Sequence, residues 1–362
     1  MTKPRARELG LDFPGVTGKH NAITDVEGVT VGCCTLRNDE KGIRTGVTAI
    51  VPRQDKNNPT PVLAGQFTLN GNGEMTGTHW INDAGYYLGP ICITNTHAVG
   101  VVHHACVQWM IQRYSEAFSN DHIWAMPVVA ETYDGELNDI NGMHVTAEHA
   151  LNALESASGG KIAEGNIGGG TGMICYGFKG GTGTASRRIE TGNERYTLGA
   201  LVQANHGTRG WLSVLGVPVG QHLLDENVAK NERGSIIAIL ATDAPLSPLA
   251  LRHLARRAAL GVGRGGTPGG NSSGDIFLAF STANAHAMYK ASTQPQSFTF
   301  VSESELDNYY LAAVESVEES VINALLAAED MPTFKPAGAV CRAIDHAELQ
   351  NVMRRYGRMT TG

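Results

Sequence analysis

Residues Ile236 to Ala241 form an unbroken apolar run, Ile-Ile-Ala-Ile-Leu-Ala, of strand length. A run with no polar face fits a strand covered on both sides, and such a strand needs a layered domain around it. Gly234 supplies the turn before it, and the residue at its mouth is Ser235. This stretch leaves two readings open. One is an ordinary Gly-Ser turn feeding a core strand. The other is a chain cut between Gly234 and Ser235, which turns Ser235 into an N-terminal nucleophile.

Composition agrees with a thick, layered interior. The chain has 362 residues, of which 42% are hydrophobic and only 17% charged, enough to bury a large core in one or two domains. Its 44 glycines make up about 12% of the chain, above the usual ~7%, and they cluster outside any repeat. Clustered glycine predicts tight turns and close backbone approaches rather than linkers. A formal charge of -7 argues against nucleic acid or an anionic membrane as the main partner. The six cysteines (Cys33, Cys34, Cys92, Cys106, Cys175, Cys341) show no CxxC spacing. Together with a polar N-terminus and no apolar run of spanning length, this predicts buried thiols in a cytoplasmic protein.

Along the chain, Ala22–Thr24, Gly28–Gly32 and Gly46–Val51 read as strands of a meander, followed by a strand at Val62–Leu69. Asn70–Gly77 is too dense in Gly and Asn for regular structure. Ile91–Thr96 and Pro127–Gly135 are further strands, and His103–Phe118 carries a helical stripe. Thr146 should cap a helix running to about Ser158, and Gly165–Ser186 should form a long glycine-rich hairpin. Tyr196–Ala204 and Trp211–Val219 read as strands, and Gln221–Gly234 as an exposed loop suited to cleavage. Ser247 followed by Pro248 opens a helix to about Leu260. Ser273-Gly274-Asp275 then leads into a second core strand, Ile276–Phe280. Ser302 with Glu305 has the spacing of a capping box for a helix to about Ala328, and His346–Arg355 is a last short helix. Many strands with helices in both halves predict helices covering paired sheets in a single domain spanning 1–362.

The familiar enzyme templates fail. The chain has no HExxH, no P-loop, no dinucleotide-binding glycine turn and no Gly-x-Ser-x-Gly elbow, so neither a metal nor an organic cofactor is expected. Acyl transfer by a terminal nucleophile survives. A serine hydroxyl needs a base, and a free α-amine with a pKa of about 7.7–8.0 is one on the same residue. Ser273 and Asp275 are candidates to steady that amine; equally, Ser-Gly-Asp is ordinary turn chemistry.

Several segments together resemble the family of L-aminopeptidase D-Ala-esterase/amidases and the related β-peptidyl aminopeptidases. They include Leu69–Gly77, Ile93–Thr96, Val129–Gly135, Gly165–Thr184, Val202–Asn205, Gly234–Ile237, Ala241–Pro245 and Gly269–Phe280, in the family's order from roughly Lys19 to Gly357. The resemblance implies a precursor that cuts itself before Ser235 into 1–234 and 235–362, which remain together. It implies Ser235 as nucleophile, Gly234 as the residue before the cut, and Ser273 with Asp275 as support for the serine and its amine. Some relatives carry Glu where this chain has Asp275. It implies Asn205 as a side-chain donor to the oxyanion and Tyr133 lining the same site. Glu131 matches the carboxylate that pairs with the substrate's free amine. The implied fold is an α-β-β-α sandwich like that of N-terminal nucleophile hydrolases with different connectivity, assembled as homo-oligomers, often tetramers. The expected enzyme is a self-processing serine aminopeptidase acting on small peptides, amides or esters. The alternatives are a β-peptidyl aminopeptidase, an acyltransferase resembling the ornithine acetyltransferases, whose nucleophile is threonine, and an uncleaved binding protein.

Overall fold

A computed structural model describes residues 3–55, 58–225, 234–285 and 294–359. Its strands are β1 (Thr30–Asn38), β2 (Ile43–Val51), β3 (Val62–Gly71), β4 (Tyr86–Tyr87), β5 (Ile91–Asn95), β6 (Val128–Thr132), β7 (Ile174–Cys175), β8 (Phe178–Lys179), β9 (Gly181–Thr191), β10 (Glu194–Asn205), β11 (Ser235–Thr242), β12 (Gly274–Ser281), β13 (Met331–Pro332) and β14 (Val340–Cys341). Its helices are α1 (Thr78–Ala84), α2 (Val99–Arg113), α3 (Ser115–Asn120), α4 (Ala147–Glu155), α5 (Val219–His222), α6 (Pro248–Arg264), α7 (Leu306–Ala327) and α8 (His346–Arg355).

One sheet has the order β1-β2-β5-β6 and the other β4-β3-β12-β11-β10-β9. Only β5–β6 and β11–β12 pair in parallel within them. α2 and α4 cover the first sheet through Val102, Ala105, Trp109, Ala150 and Leu154. α6 and α7 cover the second through Leu251, Leu254, Ala258, Val317 and Val321. The layers therefore run helix, sheet, sheet, helix, as the apolar patterning required. β11 is the reason. Ile236, Ala238 and Leu240 pack toward α6 and α7, while Ile237, Ile239 and Ala241 pack into the inter-sheet layer. Every residue of β11 is buried, and between Ser235 and Thr242 at its ends the run from Ile236 to Ala241 faces an apolar layer on both sides.

α6 starts as its sequence predicts: Ser247 Oγ accepts the Ala250 N–H at 3.2 Å, with Pro248 in the first turn. Other expectations fail at short segments. Ala22–Thr24 is not a strand, because a 3-10 turn covers Ile23–Asp25. Trp211–Val219 buries Leu212, Val214, Val217 and Val219 without a ladder, because Leu215 and Gly216 both take positive φ and turn the chain back. The glycine-rich Gly165–Ser186 segment is not one long hairpin. Gly168–Gly172 coils into a 3-10 turn, β7 and β8 make a two-residue hairpin, and β9 follows. The helix predicted over His103–Phe118 begins earlier, as α2 at Val99, and breaks at Tyr114 before α3; the short helix α1 was not anticipated. Ser302 caps nothing; its hydroxyl pairs with that of Ser304, and a 3-10 turn at Glu303–Glu305 precedes α7. The predicted loop before Ser235 starts inside the helical turn α5, and its residues 226–233 lie outside the described residues.

α7 differs from an ordinary surface helix. Its polar residues Glu315, Ser316, Glu319 and Ser320 are buried alongside the apolar ones. Arg187 on β9 holds Glu315 at 3.1 Å and Glu319 at 2.7 Å, and Arg7 reaches Glu319 at 2.9 Å. The N-terminal segment thus closes over the face of α7 that periodicity assigns to solvent.

Candidate active site

Sheet polarity gathers the candidate residues. β10 and β3 run antiparallel to β11 and β12, so two strands end where two others begin. The register sets Asn205 opposite Ser235, Ile236 beside Asp275, and Asn70 opposite Asp275. Across the inter-sheet layer, β6 ends near the same edge, followed by Tyr133. Five candidates from four distant stretches of the chain, Tyr133, Asn205, Ser235, and Ser273 with Asp275, meet here.

Ser235 Oγ accepts the Gly274 N–H at 2.9 Å. Asp275 Oδ1 accepts the Ser273 hydroxyl at 2.6 Å and the Ile236 N–H at 3.2 Å. The carboxylate therefore sits against the peptide that joins Ser235 to Ile236, one residue past the proposed cut. Ser235, Ser273 and Asp275 are all buried, which strengthens each of these polar contacts relative to water.

Asn205 is oriented at both ends of its amide. Oδ1 accepts the Ile174 N–H at 2.8 Å, and Nδ2 donates to the Tyr133 carbonyl at 3.0 Å. One carbonyl uses one of the two Nδ2 hydrogens, which leaves a second N–H for an oxyanion. Gly234 lies directly against this residue: a Cβ at position 234 would fall 1.6 Å from the Asn205 main-chain oxygen and 3.3 Å from Nδ2. Only glycine fits there. The same holds at Gly274, where a Cβ would meet the Asn72 oxygen at 2.3 Å. The Gly274 N–H was not among the sequence candidates, although a glycine between Ser273 and Asp275 was the signal for it.

Tyr133 contributes its main-chain carbonyl to Asn205, while its ring, 43% exposed, lines a cavity of about 650 Å³. Asn205, Gly234, Ile174 and Arg209 line the same cavity. That volume suits a small ligand.

Glu131 is not at a solvent-facing strand end. It is buried on β6, where Oε1 accepts the Glu74 N–H at 2.8 Å and Oε2 accepts the Thr96 hydroxyl. A Cβ on Gly73 would lie 3.1 Å from Glu131 Oε1 and 3.4 Å from the Gly274 Cα, so one glycine separates this carboxylate from the strand start that touches Ser235. Burial pushes the Glu131 carboxyl above its ordinary range; the Thr96 and Glu74 hydrogen bonds oppose that shift. Among the described residues, no group of three His, Cys, Asp or Glu side chains is placed to hold a metal ion.

A model of peptidase family S58 matches residues 21–337. The chain belongs to peptidase family S58. Similar proteins include the β-peptidyl aminopeptidase BapA of Sphingosinicella microcystinivorans, 47% identical over 98% of this chain and 93% of the relative. The BapA of Sphingosinicella xenopeptidilytica is 40% identical over 98% and 92%. Among solved structures, the L-aminopeptidase D-Ala-esterase/amidase of Ochrobactrum anthropi is 56% identical, with a TM-score of 0.94 over 99% of this chain and 100% of that one. That protein is described as a prototype of the serine aminopeptidases and a new variant of the Ntn hydrolase fold. The S58 chain described here is accordingly a hydrolase, an aminopeptidase on the N-terminal nucleophile hydrolase fold, and the acyltransferase and binding-protein alternatives fall away.

Proposed function

We propose that this S58 aminopeptidase cuts its own chain between Gly234 and Ser235 and then releases N-terminal residues, small ones above all, from peptides, amides or esters. The observation that carries this reading is the placement of Ser235 between the Gly274 N–H on one side and the Gly234–Asn205 contact on the other. In the precursor, Ser235 Oγ adds to the Gly234 carbonyl carbon, the bond to the Ser235 nitrogen breaks, and water hydrolyses the resulting ester. The products are a Gly234 carboxylate and a Ser235 amine.

In the processed enzyme that amine takes the Oγ proton as Oγ attacks the substrate carbonyl. Asp275 and Ser273 hold the amine in place, and the second N–H of Asn205 faces the oxygen as its charge develops. The amine then returns the proton to the leaving nitrogen, and water opens the acyl-enzyme on Ser235. Tyr133 acts through its carbonyl, which fixes Asn205. No step calls on a metal or organic cofactor. Intact mass and N-terminal sequencing of purified protein test the first event: fragments 1–234 and 235–362 are expected, and a stable uncut chain with full activity would sink the proposal.

Glu131 pairs with the substrate's ammonium group, and its raised pKa gives a signed prediction. The anion is the binding form, so it is present at high pH and is lost as pH falls through a value above the ordinary glutamate range. The Ser235 amine, which must be neutral to act as base, sets the first fall of kcat/KM on the acid side; KM for substrates with a free amine is expected to rise further as Glu131 protonates, at a higher pH than an exposed glutamate would give. Glu131→Gln should raise KM about 10–100-fold, the loss of one charge-assisted hydrogen bond, while the limb set by the amine remains. An unchanged KM in the variant would rule Glu131 out.

The two BapA relatives favour a second reading on the same scaffold, acceptance of β-amino acids at the N-terminus. Turnover of matched α-alanyl and β-alanyl anilides separates the two. We further propose a cytoplasmic homo-oligomer. No described helix is long and apolar enough to cross a membrane, and all six cysteines are free. Sedimentation of the processed protein, with a tetramer expected, checks the assembly.

A further inference from the structure

Asn70 lies where β3 reaches the site, and the strand pairing there is irregular. Ile276 pairs with Thr68, yet Asp275 pairs with Asn70, so Leu69 is an extra residue on β3. In a regular ladder Leu69 would oppose Asp275, and Asn70 would point to the other face of the sheet. The bulge exchanges them. Leu69 is left 40% exposed, and Asn70 is turned onto the face that carries Asp275.

The exchange places a donor on a carboxylate oxygen that neither Ser273 nor Ile236 uses. Asn70 Nδ2 donates to Asp275 Oδ2 at 3.3 Å and to the Gly270 carbonyl at 3.0 Å. Oδ1 meanwhile accepts from Ser273 Oγ and from the Ile236 N–H. A carboxylate held at both oxygens cannot rotate about its Cβ–Cγ bond without breaking contacts on each side. The second Nδ2 bond ties down Gly270, three residues before Ser273. Asn70 thus holds Asp275 directly and the turn that carries Ser273, the pair bonded to each other and, through Asp275, to the Ile236 N–H.

We propose that Asn70 is a positioning residue for the reaction, acting through Asp275. The bulge at Leu69 is the device that aims it. This inference rests on the role assigned above to Asp275.

The test uses full-length Asn70→Ala and Asn70→Asp proteins beside Asp275→Asn. The rate of self-cleavage, the thermal midpoint, and kcat and KM on an amino-acid anilide are measured for each. Asn70→Ala should lower kcat and slow cleavage about 10–100-fold, the cost of removing one hydrogen bond to a charged group, with KM changed less than about twofold. Asn70→Asp keeps the shape but replaces the donor with a second carboxylate, so it should be at least as slow. Wild-type kcat in Asn70→Ala, a loss confined to KM, or near-normal rates in Asn70→Asp would each overturn the proposal. Failure of both variants to fold would assign Asn70 to the fold alone and overturn it as well. Full activity in Asp275→Asn would instead remove the reading of the site on which this inference stands. Loss of activity there, with wild-type kcat in Asn70→Ala, would remove only the inference.

Discussion

Ser235→Ala protein is expected to run as one uncut chain of 38.4 kDa and to hydrolyse amides at least about 10⁴-fold more slowly than the processed enzyme. The substitution removes the hydroxyl proposed to attack the Gly234 carbonyl at the mouth of β11. Because no new terminus forms, it removes the base as well. The fold should survive, since Ile236 to Ala241 still fill both apolar layers. What is lost structurally is the acceptor for the Gly274 N–H, at a cost of about 1–3 kcal/mol. A mass spectrum and a thermal melt on one preparation separate catalytic loss from unfolding. Cleavage at the same junction in the alanine protein would end the mechanism, because the Ser235 hydroxyl could then not be required.

Asn205→Ala is expected to lower kcat by about 10²–10³, the usual consequence of deleting one oxyanion donor. It should cost stability too, because the Ile174 N–H and the Tyr133 carbonyl both lose their partner. Asn205→Asp tells the two effects apart. Its carboxylate still accepts from Ile174 but offers no donor to the oxyanion and faces the Tyr133 carbonyl with like charge. Its kcat should fall at least as far as that of the alanine protein, while the Ile174 bond is kept. An aspartate variant that turned over substrate at the normal rate would assign Asn205 to structure only.

Much of the fold was legible because long elements carry their own pattern. The apolar run at Ile236–Ala241 and the Ser247-Pro248 start of α6 each settle their local structure against almost any surroundings. The short segments were not legible. Trp211–Val219 is apolar enough for a strand, but no neighbouring strand is available to pair with it, and positive φ at Leu215 and Gly216 turns it into a compact loop. α7 misleads in the other direction. Its glutamates belong on a wet face by periodicity, yet Arg7 and Arg187 arrive from distant parts of the chain to bury them.

The candidate site divides along the same line. Ser235, Asn205, Ser273, Asp275, Tyr133 and Glu131 were identifiable as residue types in motifs. The Gly274 N–H and Asn70 were not, since a backbone donor has no side-chain signature and a bulge is a property of two strands together.

What changed for Gly234-Ser235 is the reason for its residue types. Sequence alone determined that a strand buried on both faces follows a Gly-Ser junction, because six consecutive apolar side chains admit no wet face. Only the tertiary structure decided that position 234 must be glycine, because the Asn205 oxygen from β10 occupies the space a Cβ would need. Only it decided that Asp275 meets the Ser235–Ile236 peptide, because that depends on the parallel register of β11 with β12. Local pattern is set by which faces of an element are dry; convergence is set by pairing between strands whose partners lie tens of residues apart in the chain.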